Sequence, residues 1–307
     1  MPETSPAFLR KYLKMHIPVL LNEIISEMKN MSTPPTTILD GTFGRGGHTR
    51  AFLEAFPDSK VVAVDRDNTA IDFAKEHFSE WIQREKLVLV KATFSDYVQS
   101  VPKETFDAIL FDLGVSSPQL DEAERGFSFN KPGRLDMRMD TSTNLTAYDI
   151  VNTWEQEDLA NMFYKNAEAR GSRRVAKAIV EARQVCAIET TEMLAKVIAR
   201  AAGWRQRGHH PATIYFLALR MEVNSELDQV REAIPHAISS LKSEGLLIII
   251  TFHSSEDRLV KYKLKEFVPS HGRLINKKVI IASKEETNSN PRSRSAKLRM
   301  FQKGVAL

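Results

Sequence analysis

The sequence predicts an α/β fold in which a doubly wound, mostly parallel sheet is interrupted by a helical insertion. Apolar runs rich in β-branched residues, such as Lys60–Asp65 and Phe106–Asp112, alternate with helix patterns through the first third of the chain. These runs are nearly continuous, which is typical of strands buried on both faces. Strands separated by helices indicate βαβ units and therefore a parallel sheet.

The elements of this core follow one another in a regular order. Strands are predicted at 36–40, 60–65, 87–91 and 106–112, and helices at 47–56 and 68–78. A fifth strand is predicted at 246–252, followed by a helix at 256–267, a strand near 274–282, a polar loop and a last strand near 297–302.

A long helical stretch separates the fourth and fifth strands. One crossover helix is enough to join two parallel strands, and the pattern after His210-Pro211 predicts it over about 212–233. The surplus predicts helices at 146–151, 155–165, 172–185 and 190–202. We therefore expect a core domain from 1–115 and 210–307, and a helical insertion domain for RNA recognition from 116–209.

Composition excludes several classes of protein. Hydrophobic residues make up 42% and charged residues 27% of the 307 residues, which is a globular composition. No apolar run approaches the roughly 20 residues of a membrane span. The N-terminal residues lack the apolar core of a secretory signal, and the single cysteine, Cys186, has no internal disulfide partner. We expect a cytoplasmic protein without membrane contact; its oligomeric state is open.

Positive charge is concentrated near the C-terminus. The whole chain carries +4, but Arg258 to Leu307 contains 13 Lys and Arg against 3 Asp and Glu, a net charge of +10. The preceding residues therefore carry −6. This asymmetry suggests contact with a polyanion, and a solvated surface that aids solubility is the alternative.

A glycine-rich loop follows the first predicted strand. Residues 40–49 read DGTFGRGGHT. Glycines allow sharp turns and close approach of a ligand to the backbone, and the next helix directs its N-terminus into the same crevice. Glycine spacing alone is a weak signal, and the Walker phosphate-binding pattern is absent.

Acidic and aromatic residues follow the second and third strands. Asp65 can accept hydrogen bonds from both hydroxyls of a ribose. Helix capping is the alternative, for which Asp67 or Asn68 is better placed. Phe94 either packs on an adenine or belongs to the core. The loop and acid predict a nucleoside cofactor, either NAD or S-adenosylmethionine.

The fourth strand delivers a polar turn to the same sheet edge. Residues 112–119 read DLGVSSPQ, which loosely resembles the Asp/Ser-Pro-Pro-aromatic element of amino-group methyltransferases. Asp112, Ser116 and Ser117 are therefore the catalytic candidates. The pattern favours methyl transfer over hydride transfer, for which no acid/base pair is obvious. Asp136 and Asp140 are second candidates, with salt bridges to Arg134 and Arg138 as the favoured alternative.

Taken together, these segments resemble the MraW-type family, ribosomal small-subunit methyltransferase H. The matching segments run in order through nearly the whole chain: HIPVLLNE at 16–23, LDGTFGRGGHT at 39–49, AVDRD at 63–67, the 30-residue block at 111–140, HPAT at 210–213, LALRMEVNSEL at 217–227, TFHSSEDRLVK at 251–261 and NPRSRSAKLR at 290–299.

The resemblance implies a chemistry and its partners. Members of this family methylate the N4 atom of a decoding-region cytidine in 16S rRNA and use S-adenosylmethionine on a class I (Rossmann-like) fold. The implied partner is 16S rRNA in an assembled or nearly assembled small ribosomal subunit, and we expect no metal. The implied cofactor-binding residues are Gly46, Gly47, His48, Asp65, Phe94, Asp112 and Gln119.

Two basic clusters are candidates for contacts with RNA phosphates. The first is Arg170, Arg173, Arg174 and Lys177, whose spacing places them on one face of a continuous helix. The second is Arg292, Arg294, Lys297 and Arg299. Such charges position a phosphate backbone without reading its sequence. Phe127, Phe129 or Trp204 could stack on a base taken out of its helix, with core packing as the favoured alternative.

The sequence departs from the family pattern in the inserted region. Residues 166–170 read NAEAR where the family has Tyr-Gly-Glu-Glu-Arg, and 214–217 read IYFL where it has Arg-Thr-Phe-Gln. Because the cofactor motifs are intact, these departures concern RNA positioning or substrate choice. The alternatives are a methyltransferase acting on another RNA, DNA or protein, a non-catalytic ribosome-assembly factor, and an NAD-linked oxidoreductase.

Overall fold

A computed structural model describes residues 17–203 and 210–304. The chain divides into two compact units, one formed by Met1–Gly114 with Gln229–Leu307 and the other by Val115–Asp228. We call them the sheet unit and the helical unit. Within the described ranges, no helix is long and apolar enough to cross a membrane.

The sheet unit contains all the strands described. They are β1 (Thr37–Asp40), β2 (Lys60–Asp65), β3 (Leu87–Lys91), β4 (Phe106–Asp112), β5 (Leu241–Thr251), β6 (Gly272–Leu274), β7 (Ile280–Ile281) and β8 (Lys297–Lys303). The helices before β4 are α1 (Leu21–Lys29), α2 (Gly47–Ala55), α3 (Asn68–His77), α4 (Ser79–Gln83) and α5 (Phe94–Ser100).

The helices after β4 belong mostly to the helical unit. They are α6 (Ser117–Asp121), α7 (Ala147–Thr153), α8 (Gln156–Ala167), α9 (Ser172–Val185), α10 (Thr191–Ala202), α11 (Thr213–Val223) and α12 (Glu226–Ser240), which continues into the sheet unit. The sheet unit then adds α13 (Ser254–Glu266) and α14 (Lys284–Ser289).

The sheet is doubly wound. Its order is β3-β2-β1-β4-β5-β8-β6, with β7 paired to β8. Strands β1 to β5 are parallel, whereas β8 runs antiparallel to β5. The strand order reverses at β1, between β2 and β4, which is the switch point where ligands bind in open α/β sheets. The predicted fold class is confirmed.

Alternate residues of each central strand enter two different cores. On one face Ile38, Leu110 and Ile248 pack with α1, α2 and α3, and on the other Leu39 and Ile109 pack with α12 and α13. Burial on both faces explains why the strands read as continuous apolar runs.

The helical unit ends later than the sequence suggests. The expected boundary was residue 209, but α11 packs on α8 and buries Tyr215, Phe216 and Leu219 in the core of the helical unit. The reason is a break in the helix predicted over 212–233. Ser225 has a φ of 50°, and α12 starts afresh at Glu226 before it crosses to β5.

The C-terminal region is more ordered than predicted. The strand expected at 274–282 consists of two short strands, β6 and β7, that pair with different parts of β8. The expected polar loop contains α14, whose start is capped because the Ser283 hydroxyl accepts a hydrogen bond from the Glu286 N–H at 3.1 Å. Local polarity had concealed this capped helix.

Candidate active site at the carboxyl edge of the sheet

The glycine loop lies close against aromatic rings of its own unit. Gly46 has a φ of 70°, and a Cβ there would lie 2.5 Å from the Phe78 ring. A Cβ on Gly41 would lie 2.6 Å from the Phe111 ring. The glycines are therefore required by the packing beneath the loop as well as by the turn. No side chain caps the following helix α2, which begins at Gly47.

Asp40 closes the loop from inside. It accepts hydrogen bonds from the Thr49 hydroxyl at 2.6 Å and from the Thr42 N–H at 3.2 Å. Burial raises the pKa of Asp40 to about 6, although both hydrogen bonds oppose the shift. This carboxylate therefore links the end of β1 to the first turn of α2.

Asp65 fixes the other side of the loop. Its Oδ2 accepts the Gly44 N–H at 2.7 Å and its Oδ1 accepts the Asp67 N–H at 2.8 Å. Helix α3 is capped by Asp67 and not by Asp65, since the Asp67 carboxylate accepts a hydrogen bond from the Thr69 N–H at 3.0 Å. Because each carboxylate oxygen has two lone pairs, Asp65 retains the capacity to accept ribose hydroxyls. Burial raises its pKa to about 6.

Asp112 and His48 form a pair at the end of β4. The His48 Nε2 lies 3.1 Å from the Val19 carbonyl oxygen, and its Nδ1 lies 3.6 Å from the Asp112 Oδ2. A carbonyl can only accept, so Nε2 carries a hydrogen and Nδ1 faces the carboxylate. Among the residues described, the shielded Asp112 Oδ1 has no hydrogen-bond partner. An acceptor of this kind fits a ligand that brings its own donor.

The charge of Asp112 depends on its neighbours. Burial is the largest cause of the rise in its pKa to about 6. The His48 ring lowers the pKa, whereas the Asp40 and Glu256 carboxylates raise it. At neutral pH the carboxylate is therefore mostly ionised and close to the range in which it can exchange a proton.

Phe94 lies at the start of α5 and is half-buried. Its ring centroid is 4.8 Å from that of Phe111. Phe94 therefore packs against the core, as in the alternative interpretation of the sequence. Its contact with a cofactor stays a prediction.

The remaining candidates follow β4 in the chain and belong to the helical unit; they are Ser116, Ser117 and Gln119. The Ser116 N–H donates to the Gln119 Oε1 at 2.9 Å, as part of a capping box at the start of α6 that the sequence analysis missed. Ser117 is the first residue of that helix. The predicted roles of Ser116, Ser117 and Gln119 in catalysis or cofactor binding remain predictions.

The second catalytic candidates have structural partners. Asp136 accepts from the Arg138 Nε at 2.8 Å and Nη2 at 2.7 Å, which confirms the favoured salt bridge. Asp140 accepts from the Ser142 N–H and hydroxyl.

The first basic cluster is not one continuous helical face. Gly171 has a φ of 80° and caps α9, so Arg170 precedes the helix. Arg173 is exposed, whereas the Arg174 Nη2 donates to the Ala202 carbonyl at 3.0 Å and Lys177 lies 3.6 Å from Glu181. The helix therefore presents Arg173, Arg174 and Lys177 without Arg170.

The second basic cluster divides between the surface and the core. Arg292 and Arg294 are exposed. Arg299 is 8% exposed, and its Nε and Nη2 donate to the Asp257 carboxylate at 2.7 and 3.2 Å. Lys297 lies 3.7 Å from the same carboxylate. The Arg299 guanidinium therefore already has a partner within the fold, and its contact with RNA stays a prediction.

The described aromatic candidates, and the residues at which the sequence departs from the family pattern, make contacts within the helical unit. Phe127 is buried, and the Phe129 ring packs between His210 and Phe216. Trp204 lies outside the described residues. The Asn166 amide donates to the Glu222 Oε2 at 2.7 Å, and the Tyr215 hydroxyl donates to the Arg170 carbonyl at 2.8 Å.

Sequence reasoning missed the backbone of Val19 as a partner of His48. Its segment matched the family as HIPVLLNE, but no chemistry explained the match. That match was the available signal.

A model of the MraW methylase family matches residues 14–304. The chain belongs to the MraW methylase family. As a member, it is a methyltransferase that uses S-adenosylmethionine, which confirms the expected enzyme class and cofactor and excludes the NAD-linked alternative.

Curated relatives match along most of their own length. The chain is 45% identical to Ribosomal RNA small subunit methyltransferase H of Bdellovibrio bacteriovorus, covering 94% of this chain and 88% of the relative. It is 43% identical to the protein of that name from Nostoc sp., covering 97% and 96%. With the one from Caldicellulosiruptor bescii the identity is 42%, covering 94% and 99%.

We expect this methylase to bind S-adenosylmethionine more weakly below about pH 6. Asp65, whose pKa is about 6, accepts two hydroxyl donors only as the carboxylate, so protonation opposes binding. Titration calorimetry from pH 5 to 8 should show the Kd rising by up to about 10-fold per pH unit below that value.

Asp65→Asn is the control for this titration. It should bind weakly at every pH and lose the part of the pH dependence that belongs to Asp65. A wild-type Kd that stays constant from pH 5 to 8 would contradict the ribose assignment.

Proposed function

We propose that this MraW-family methylase transfers a methyl group from S-adenosylmethionine to the N4 atom of one decoding-region cytidine in 16S rRNA. The names of its curated relatives specify small-subunit ribosomal RNA. The observation that carries the proposal is the sheet edge, where the loop is held by Asp40 and Asp65 and the Asp112 Oδ1 is an acceptor in need of a donor.

The partner that we propose is the small ribosomal subunit in the cytoplasm, assembled or nearly so. A decoding-region cytidine needs folded surroundings to be singled out from other cytidines, and charged contacts alone do not read sequence. The exposed Arg173 of α9 and the exposed Arg292 and Arg294 supply phosphate contacts in this proposal.

The chemical difficulty lies in the nucleophile. Bound S-adenosylmethionine supplies an electrophilic methyl group, and an in-line displacement depends mainly on alignment. The lone pair of cytosine N4 is delocalised into the ring, so an acceptor for an amino hydrogen favours attack. In our proposal the Asp112 Oδ1 is that acceptor, with a carbonyl of the turn 114–118 as the alternative.

Asp112 also accounts for the proton. When the N4–CH₃ bond forms and the S–CH₃ bond breaks, the amino group must lose one proton. The Asp112 carboxylate, with a pKa of about 6, can accept that proton at neutral pH. The His48 Nδ1 faces the Oδ2 of this carboxylate and leaves the Oδ1 available to the base.

The target is tested by mass mapping of small-subunit rRNA from cells with and without the gene. We expect loss of one methyl group from a single decoding-region cytidine, restored by the wild-type gene but not by Asp65→Ala. Asp72→Ala, which changes an exposed acid on α3, is the matched control and should restore the methyl group.

An unchanged methylation map would contradict this choice of target. Methylation of another RNA by the purified enzyme would then favour the alternative substrate. Restoration of ribosome maturation by Asp65→Ala, without any methylation, would favour a non-catalytic assembly factor.

The role of Asp112 is tested by Asp112→Asn. The amide keeps the shape of the side chain but is a poor proton acceptor, so kcat should fall by roughly 100-fold. The Kd for S-adenosylmethionine, measured by calorimetry, should change much less. Normal turnover combined with weak cofactor binding would instead make Asp112 a cofactor ligand and not a catalytic residue.

Phosphate contact is tested on α9. Arg173→Gln should weaken binding to the small subunit and lower the slope of log K against log salt by about 1. Lys165→Gln, which removes an exposed charge from α8 in the same unit, is the matched control. If both variants keep the wild-type salt slope, α9 is not an RNA-contacting surface.

A further inference from the structure

The first described residues form a strap over the start of helix α2. We define the strap as residues 17–20. A Cβ on Gly47 would lie 2.7 Å from the Pro18 ring, so the strap is in close contact with the glycine loop. Leu20 has a φ of 54°, an unfavourable conformation for leucine that requires support from outside the segment.

Two residues from the far end of the chain hold this strap. The Asn290 Nδ2 donates to the Ile17 carbonyl at 2.8 Å. The Leu20 N–H donates to the Glu286 Oε1 at 2.8 Å. Both contacts are partly buried, and the second involves a carboxylate, which makes it stronger than a neutral hydrogen bond.

Glu286 and Asn290 are themselves fixed. The Glu286 N–H is capped by the Ser283 hydroxyl at 3.1 Å, and the Asn290 N–H donates to the Glu286 carbonyl at 2.6 Å. Helix α14 and its C-terminal cap residue therefore hold Glu286 and Asn290 in place, and these two residues bind the two ends of the strap.

The strap in turn fixes the position of the His48 ring. The Val19 carbonyl lies between the two anchored residues of the strap and accepts from the His48 Nε2 at 3.1 Å. This contact uses the Nε2 hydrogen and leaves Nδ1 facing the Asp112 Oδ2 at 3.6 Å. Because a carboxylate only accepts, His48 attracts it when Nδ1 carries a hydrogen as well. If the strap moved, His48 would lose the partner that fixes its tautomer.

We infer that Glu286 and Asn290 are positioning residues for methyl transfer. They hold the strap, the Val19 carbonyl of the strap fixes the orientation of the His48 ring by accepting from its Nε2, and this orientation places Nδ1 against the Asp112 carboxylate. The inference rests on the proposed function for the role of Asp112, but the link from Glu286 to His48 can be measured without substrate.

The first readout is the tautomer of His48 in the protein without ligands. Long-range ¹H–¹⁵N NMR, with His48→Gln to assign the signals, should show the hydrogen on Nε2 in the wild type. Glu286→Ala removes the acceptor for the Leu20 N–H, so the His48 signals should move toward a mixture of tautomers. Glu286→Gln keeps an amide oxygen and should restore the wild-type pattern.

The second readout is kinetic. Glu286→Ala should lower kcat by about 10- to 100-fold, the effect of one hydrogen bond to a charged group. The KM for the small subunit should stay the same, since the strap is not proposed to contact RNA. Asn288→Ala changes an exposed residue of the same helix and should match the wild type in both readouts.

The outcomes separate the two proposals. Wild-type His48 signals and wild-type kcat in Glu286→Ala would overturn the positioning role. A shifted tautomer in an enzyme that methylates no rRNA would keep the link from Glu286 to His48 and reject the proposed function. If Glu286→Ala does not fold, Asn290→Ala releases the other end of the strap and should shift the His48 signals in the same direction.

Discussion

The site depends on one constraint, which is that carboxylates shielded from water require hydrogen-bond donors. Three strands end in Asp40, Asp65 and Asp112, and burial raises the pKa of each to about 6. The first two are served by the glycine loop and the start of α2. Donors that satisfy these acids therefore also determine the shape of the loop.

Asp112 differs from the other two acids because one of its oxygens lacks a donor among the described residues. A chain that satisfies two acids internally and leaves an acceptor on the third is ready for a ligand that supplies the donor. His48 contributes to this arrangement by facing only the Oδ2. The same pair connects the site to the strap and hence to the last part of the chain.

The helical unit shows how the sequence can depart from its family without disturbing this edge. Asn166 bonds to Glu222, and Tyr215 bonds to the Arg170 carbonyl, so both departures make contacts within the helical unit. Asn224 also joins the family-matching segments 217–227 and 111–140, since its amide donates to the Met137 carbonyl and accepts from the Met139 N–H. The departures thus alter internal packing of that unit, while the motifs of the sheet edge keep their own partners.

The sequence alone determined the five parallel strands, the glycine loop, the three acids and the family, because apolar periodicity, glycines and strand-end acids are signals carried by neighbouring residues. Only the tertiary structure decided what depends on residues far apart in the chain. The Asp257 carboxylate pairs with the buried Arg299, and the Val19 carbonyl accepts from His48. The Glu286 carboxylate accepts from the Leu20 N–H. The break at Ser225, where φ is 50°, also escaped prediction, since the apolar pattern continues through it.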